Sequence, residues 1–153
     1  MYLGKLLSQL RKCYSNWLTD AIYAHYLVTG DKAFVTSLLD DLIVNHRAYS
    51  KDGKGNHSQN RFLKDIGLYW QIDSMDGAEF SISGHGIRLT INSYLYGGAV
   101  AIANIADLAG RPQVAKAYRQ EAETLKQTIQ AKLWDPQDQF FKTIFIKTMS
   151  RPI

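Results

Sequence analysis

Two apolar helical stretches, each ended by a glycine and followed by an amphipathic helix, constrain the fold of this chain more than any other feature. The first stretch, Trp17 to Val28, has apolar residues on nearly every side and stops at Gly30. The second, Asn92 to Leu108, is rich in alanine and stops at Gly110. A helix that is apolar all round is typical of a buried position. We therefore expect both stretches to lie inside the protein.

Each apolar stretch is followed by a helix with a single apolar stripe. Asp31 is a favourable N-cap for the first of these helices, which we expect to run from Lys32 to about Tyr49. Pro112 suits the first turn of the second, whose apolar residues recur at three- and four-residue spacing as far as Leu133. The recurrence is a weak internal repeat of α-hairpins. It predicts an all-α fold in which inner helices are covered by outer ones.

Composition excludes several classes of protein. A chain of 153 residues that is 46% hydrophobic and 21% charged can bury one core. The formal charge of +4 comes from basic residues that are spread along the sequence, so we do not expect nucleic-acid binding. A single cysteine, Cys13, rules out an internal disulfide framework.

Neither a cofactor nor a membrane is expected as a partner. The four histidines show no spacing typical of metal ligands, so we expect no metal site. No apolar stretch approaches the length of a membrane span, and the first residues alternate too often for a signal-peptide core. Localisation is therefore unknown, with the cytoplasm as the default expectation.

The segment between the two hairpins, residues 50–91, breaks the helical pattern. Its second part combines aromatic residues such as Tyr69 and Trp70 with the acids Asp73, Asp76 and Glu79. Long structured loops are often functional, and a loop that feeds an inner helix arrives at the mouth of a central cavity. Aromatic and carboxylate side chains together in a cavity favour a sugar ligand.

Cleavage of a glycosidic bond generally requires two carboxyl groups, one protonated and one ionised. Glu79 lies between Ala78 and Phe80, and this apolar setting should raise its pKa, which suits a general acid. A plainer interpretation remains open. Asp76 and Gly77 form a dipeptide that is common in turns, and the two aromatic residues before them are more often part of a core.

Three runs of the sequence resemble the six-hairpin glycosidases, in particular the mannosylglycerate hydrolase-like domain related to trehalases and processing glucosidases. They are Gly67 to Asp73, Asp76 to Gly84 and Asn92 to Gly97. The following hairpin, which ends near Trp134 and Phe141, is similar to the same family. The stretch from Trp17 to Gly30 is similar to it as well.

The resemblance implies an (α/α)6 toroid and hydrolysis that is usually inverting. It implies that Glu79, within a Gly-x-acid-x-Ser element, is the catalytic general acid. The residues that it implies for substrate binding are Tyr69, Trp70, Asp76, Arg88, Asn92 and Tyr96. Two positions, Leu89 and Gly98, depart from the family pattern, in which we expect a proline and an acidic residue.

The expected unit is a fragment of such a toroid, with about two α-hairpins and a long active-site loop. We expect residues 1–142 to belong to the catalytic domain and residues 143–153 to form an atypical tail, as at a truncation. The partner carboxylate has no counterpart in the sequence, so the chain alone is expected to be inactive. Its expected partners are a glycoside or oligosaccharide substrate and the missing C-terminal hairpins of the same domain.

Two other hypotheses remain. The first is a non-catalytic helical-repeat module that binds carbohydrate or protein, in which Asp76 and Glu79 are only loop acids. The second, nucleic-acid binding, would require Lys and Arg side chains gathered on one face. Burial of the inner helices tests the two-layer fold, because an exposed apolar face in an incomplete fold would indicate a missing neighbour.

Overall fold

A computed structural model of the protein describes residues 15–50, 61–72 and 85–145. Within these ranges the chain forms helices joined by very short strands, so the predicted all-α class is confirmed. The helices are α1 (Leu18–Thr29), α2 (Lys32–Ser37), α3 (Leu39–Arg47), α4 (Leu89–Leu108) and α5 (Pro112–Leu133). The strands are β1 (Phe62–Leu63), β2 (Leu68–Gln71), β3 (Gly86–Ile87), β4 (Trp134–Asp135), β5 (Phe140–Phe141) and β6 (Ile144–Phe145).

The first hairpin turns where the sequence predicts. Gly30 ends α1 with a φ of +71°, a conformation that glycine adopts without strain, and its N–H donates to the Tyr26 carbonyl over 2.8 Å. Asp31 then caps the next helix, because its Oδ1 accepts a hydrogen bond from the Phe34 N–H at 2.9 Å. Both local signals are therefore confirmed.

The outer part of this hairpin is two helices, where the sequence predicted one. The break lies at Leu38, whose N–H bonds to the Val35 carbonyl at 3.2 Å in a tighter, three-residue turn. The apolar stripe continues through the break. Its buried members are Val35, Leu38, Leu39, Leu42, Ile43 and His46.

The second hairpin follows its prediction more closely. Helix α4 begins at Leu89, three residues earlier than expected. Helix α5 spans the predicted residues, with Pro112 in its first turn. Gly110 has a φ of +69° between them. The alanine-rich part of α4 is buried, as predicted. The buried residues of that part are Ala99, Ala101, Ile102, Ala103, Ile105 and Ala106.

Helix α1 does not follow its prediction. In the described chain only Thr19 of this helix is buried, whereas Trp17, Leu27 and Val28 are 63%, 65% and 87% exposed. The expectation that this helix is buried on all sides is wrong for the chain as it stands. The reason is that α1 packs against α4 and α2, while the described residues place nothing over its remaining surface.

Three strands of a small antiparallel sheet lie in the region predicted only as a loop, and the fourth, β6, comes from the segment predicted as a tail. The strand order is β1-β2-β3-β6, and β4 and β5 form a separate hairpin. Gly86 is paired with Phe145, and a side chain at Gly86 would place its Cβ only 2.6 Å from the Ile144 carbonyl oxygen. Such short strands carry too few residues to show a period of two, so the sequence did not predict them.

Two clusters of buried side chains form the core. One joins the alanine-rich face of α4 to the outer helices α2, α3 and α5. The other joins the start of α4 and the end of α5 to the small sheet. Tyr96 packs against both clusters. Among the described helices, none has the length and hydropathy needed to cross a membrane.

Candidate functional site

The side chain of Asn92 fastens strand β2 to the first turn of α4. Its Oδ1 accepts from the Tyr69 N–H at 2.8 Å, and its Nδ2 donates to the Tyr69 carbonyl at 2.8 Å and to the Arg88 carbonyl at 2.7 Å. Asn92 is fully buried. Three of the four hydrogen bonds that an amide side chain can make are therefore used within the protein. Asn92 acts here as a positioning residue, and its predicted contact with substrate stays a prediction.

The predicted catalytic segment begins and ends on two paired strands. Trp70 pairs with Ile87, and Gln71 pairs with Gly86, immediately before α4 begins. Glu79 and Asp76, the predicted acid and one predicted substrate contact, lie outside the described residues. The structure shows that the described residues on either side of that segment, in β2 and β3, lie beside the first turn of α4.

Trp70 is half-buried and carries a cation above its ring. The guanidinium carbon of Arg61 lies 4.4 Å from the ring centroid, a typical cation–π arrangement. Arg61 is itself fully buried, and its carbonyl accepts from the Trp70 N–H at 2.9 Å. One face of the indole is thus occupied, so a sugar would have to stack on the other. No feature of the sequence marks Arg61, because its contacts with Trp70 and Tyr49 form only when the chain folds.

Tyr69 and Trp70 leave opposite faces of β2, as neighbouring residues on a strand do. Tyr69 is buried against Phe62, with ring centroids 4.9 Å apart, and it faces the outer helix α5. Burial, with a smaller contribution from the charge of Glu121, raises the pKa of Tyr69 to about 12. Its ring lines an open cavity of about 380 Å³ on the outer side of the small sheet. The structure therefore does not bring Tyr69 and Trp70 to one site.

The two remaining predicted contacts belong to α4. Arg88 immediately precedes this helix and is buried, with 1% of its surface exposed. Tyr96 is half-buried and lies one turn after Asn92. Of the predicted substrate contacts, Trp70, Arg88, Asn92 and Tyr96 thus lie around the start of α4, whereas Tyr69 faces α5. Their contact with a substrate stays a prediction.

Gly98, which departs from the expected family pattern, lies against a buried histidine. A Cβ at Gly98 would lie 3.3 Å from Nδ1 of His46, a tight contact that requires a small shift of the imidazole. His46 is held from the other side by Glu121, at 2.8 Å between Nε2 and Oε1. This contact joins α3 to α5 across the outer layer.

A group of contacting side chains at the start of α1 was not predicted from the sequence. The rings of Trp17 and Tyr94 meet edge to face with centroids 5.8 Å apart, and Asp20 packs against Gly97 in the next turn. Ser15 accepts a hydrogen bond from Gln71 at 3.0 Å, which ties this group to the end of β2. The spacing of Trp17 and Asp20 was visible, but their neighbours were not.

The described residues contain no group of three or more His, Cys, Asp or Glu side chains that could hold a metal ion. Most acids there have structural partners instead. Asp107 bonds to Arg119, and Asp135 is 2.6 Å from the Lys142 ammonium, which together with hydrogen bonds from nearby backbone N–H groups holds the pKa of Asp135 below its usual range.

The described residues form two α-hairpins, with the paired strands β2 and β3 beside the first turn of α4. The comparisons assign this helical domain to the glycoside hydrolases. The chain belongs to the family of the mannosylglycerate hydrolase MGH1-like glycoside hydrolase domain, whose family model matches residues 7–152. That match runs past Lys142, so the domain boundary expected there stays a prediction.

A solved structure entitled "Sialidase" is 36% identical and superposes with a TM-score of 0.76. The alignment covers 87% of this chain but only 12% of that protein. The chain therefore spans a small part of the length of this solved relative. No curated protein matches the sequence.

Proposed function

We propose that this chain is a segment of a catalytic domain that hydrolyses O-glycosidic bonds, with Glu79 as its general acid. The observation that supports the proposal is the position of the described strands on either side of residues 73–84. Gln71 of β2 pairs with Gly86 of β3, and Asn92 fixes β2 to the first turn of α4. Membership of a glycoside hydrolase family supports the same reaction.

In the proposed reaction, the Glu79 carboxylic acid donates its proton to the glycosidic oxygen as the bond to the leaving group breaks. A second carboxylate removes a proton from water, which attacks the anomeric carbon from the opposite side and inverts its configuration. The two carboxyl groups of an inverting enzyme lie roughly 6.5 to 9.5 Å apart. We place the second carboxylate in another part of the complete domain, among hairpins that this chain does not contain.

Substitution by glutamine tests the role of Glu79, because glutamine keeps the shape of the side chain and removes the acidic proton. In a relative that carries the complete domain, Glu→Gln at the position equivalent to Glu79 should lower kcat by about 10² to 10⁴-fold. The matched control is Glu→Gln at the position equivalent to Glu123, an exposed residue of α5. Unchanged turnover in the first variant, with circular dichroism confirming its fold, would return Glu79 to the status of a loop acid.

The chain alone should show no turnover of aryl glycosides or short α-linked oligosaccharides above the level of its Glu79→Gln variant. A general acid without its base cannot activate water, so the second half of the reaction is missing. Turnover by the wild-type chain that Glu79→Gln abolishes would contradict the placement of the base elsewhere.

A non-catalytic module that binds carbohydrate or protein is the second candidate. The exposed apolar side chains of α1 favour it, since large apolar patches often mark interaction surfaces. The two candidates differ in the complete domain. Only the hydrolase predicts that the variant at Glu79 loses turnover while keeping its affinity for the sugar.

A further inference from the structure

Two residues at the start of α1 contact two residues of α4 that have the same spacing. Trp17, which immediately precedes α1, and Asp20 lie three positions apart, and Tyr94 and Gly97 have the same separation on α4. Residues three apart share one side of a helix. Trp17 contacts Tyr94, and Asp20 contacts Gly97, so the four residues form one continuous surface.

The fit of Asp20 depends on glycine. A Cβ at Gly97 would lie 2.5 Å from Asp20 Oδ2, closer than real contacts allow, and 3.1 Å from Oδ1. Any larger residue at position 97 would push the carboxylate away. Because Gly97 has no side chain, the Asp20 carboxylate can pack directly against the backbone of α4.

No hydrogen bond or ion pair to the Asp20 carboxylate is formed within the described part of the chain. The group is nonetheless half-buried, and burial raises its pKa above the ordinary value of 3.8. The carboxylate oxygens are therefore left to solvent, and a ligand that supplies hydroxyl donors can replace that water.

The surroundings indicate what that ligand offers. Trp17 is 63% exposed, and its edge-to-face contact with Tyr94 leaves most of the indole open to solvent. An apolar ring beside an acceptor without a donor suits a pyranose, which combines C–H faces with hydroxyl donors. The link from Ser15 to Gln71 places this surface beside the strand that leads to Glu79.

We propose that Asp20 and Trp17 form a substrate-contacting point for a neutral pyranose unit, in which the Asp20 carboxylate accepts hydrogen bonds from sugar hydroxyls. This inference rests on the proposed glycosidase function and specifies the substrate class at that site. A negatively charged sugar is disfavoured, because its carboxylate would face the Asp20 carboxylate.

The test is a titration of the full chain with methyl α-D-mannopyranoside and methyl α-D-glucopyranoside, followed by NMR of the indole N–H signals. The chain has three tryptophans, of which Trp134 lies in the β4–β5 hairpin and reports non-specific effects. Saturable shifts of the Trp17 signal, with Trp134 unchanged, are expected for at least one of the two sugars. The methyl glycoside of N-acetylneuraminic acid should bind at least tenfold more weakly.

Asp20→Asn should weaken the sugar affinity at least tenfold, because it removes a charge-assisted acceptor. The matched control is Asp65→Asn, an exposed aspartate in the turn between β1 and β2, which should bind as the wild type does. Gly97→Ala keeps the charge but displaces the carboxylate, so it should also weaken binding, and it serves if Asp20→Asn does not fold.

Three results would overturn the inference: no saturable shift of Trp17, unchanged affinity in Asp20→Asn and Gly97→Ala, or equal affinity for the anionic sugar. None of these measurements involves Glu79. A failure here therefore leaves the proposed general acid standing, while a failure of the Glu79 variant in the complete domain leaves this binding result in place.

Discussion

Helices α1 and α4 have the same apolar character and very different surroundings. Helix α4 lies against α1, α3 and α5, and its alanine-rich part is buried. Helix α1 has mainly α4 and α2 as neighbours, and its Val28 is 87% exposed. The comparison shows that an apolar pattern predicts that a helix is suited to burial. Whether the helix is in fact buried depends on which neighbouring elements are present.

The largest expected contrast is between core truncations in the two helices. Ile102→Ala in α4 should lower the free energy of unfolding by about 4 kcal/mol, because it leaves a cavity in a fully packed region. Leu27→Ala in α1 should change it by no more than about 0.5 kcal/mol, since that side chain is already 65% exposed. Urea unfolding measures both. Equal losses would mean that α1 is covered in solution, for example by self-association, and that the contrast between the helices is false.

A smaller effect is expected at the first turn of α4. Asn92→Ala should lower the free energy of unfolding by about 2 to 3 kcal/mol, because it leaves buried backbone groups of Tyr69 and Arg88 without partners. The control on the same helix is Asn104→Ala, for which we expect a change within about 0.5 kcal/mol. If Asn92→Ala were as mild as this control, the attachment of the sheet to α4 would not depend on the amide.

The smallest effect compares two aspartates whose pKa values move in opposite directions. Burial raises the pKa of Asp20, so its proton is held more tightly in the folded protein than in the unfolded chain. Stability therefore falls as the pH rises from 3.8 through the folded pKa of Asp20, and Asp20→Asn should raise the unfolding midpoint at about pH 7 but not at about pH 3.

For Asp135, the pH dependence of stability has the opposite sign. Lys142, together with the N–H groups of Asp138 and Gln137, lowers its pKa, so its contribution to stability is present above 3.8 and is lost as the pH falls through the folded pKa. Asp135→Asn should therefore lower the midpoint at about pH 7 and have little effect in acid. The measurement is the denaturant midpoint of each variant at both pH values. A shift of the midpoint in the same direction for both variants at about pH 7 would refute the opposite pKa shifts of the two aspartates.

Part of the candidate site could be predicted from the sequence. Trp70, Arg88, Asn92 and Tyr96 were identified by their resemblance to a family, and the structure gathers them near the start of α4. The sequence also grouped Tyr69 with Trp70, which a strand separates onto two faces. Neither Arg61 above the indole nor the carboxylate of Asp20 was predicted, because both acquire their surroundings from residues far away in the chain.

The sequence by itself determined the local features of this protein. Gly30 and Gly110 end helices because glycine tolerates a positive φ, Asp31 caps a helix with its own side chain, and the span of α5 follows from its apolar period. Each of these depends on interactions within a few residues, which a linear pattern can display.

Only the tertiary structure decided which apolar helix is buried and which is exposed, which side of β2 faces the inner layer, and where Asp20 is seated. These properties depend on contacts between residues many positions apart, such as Asp20 with Gly97 and Gln71 with Ser15. Burial and desolvation are set by all the atoms around a group. A side chain's own sequence neighbours supply only a few of those atoms.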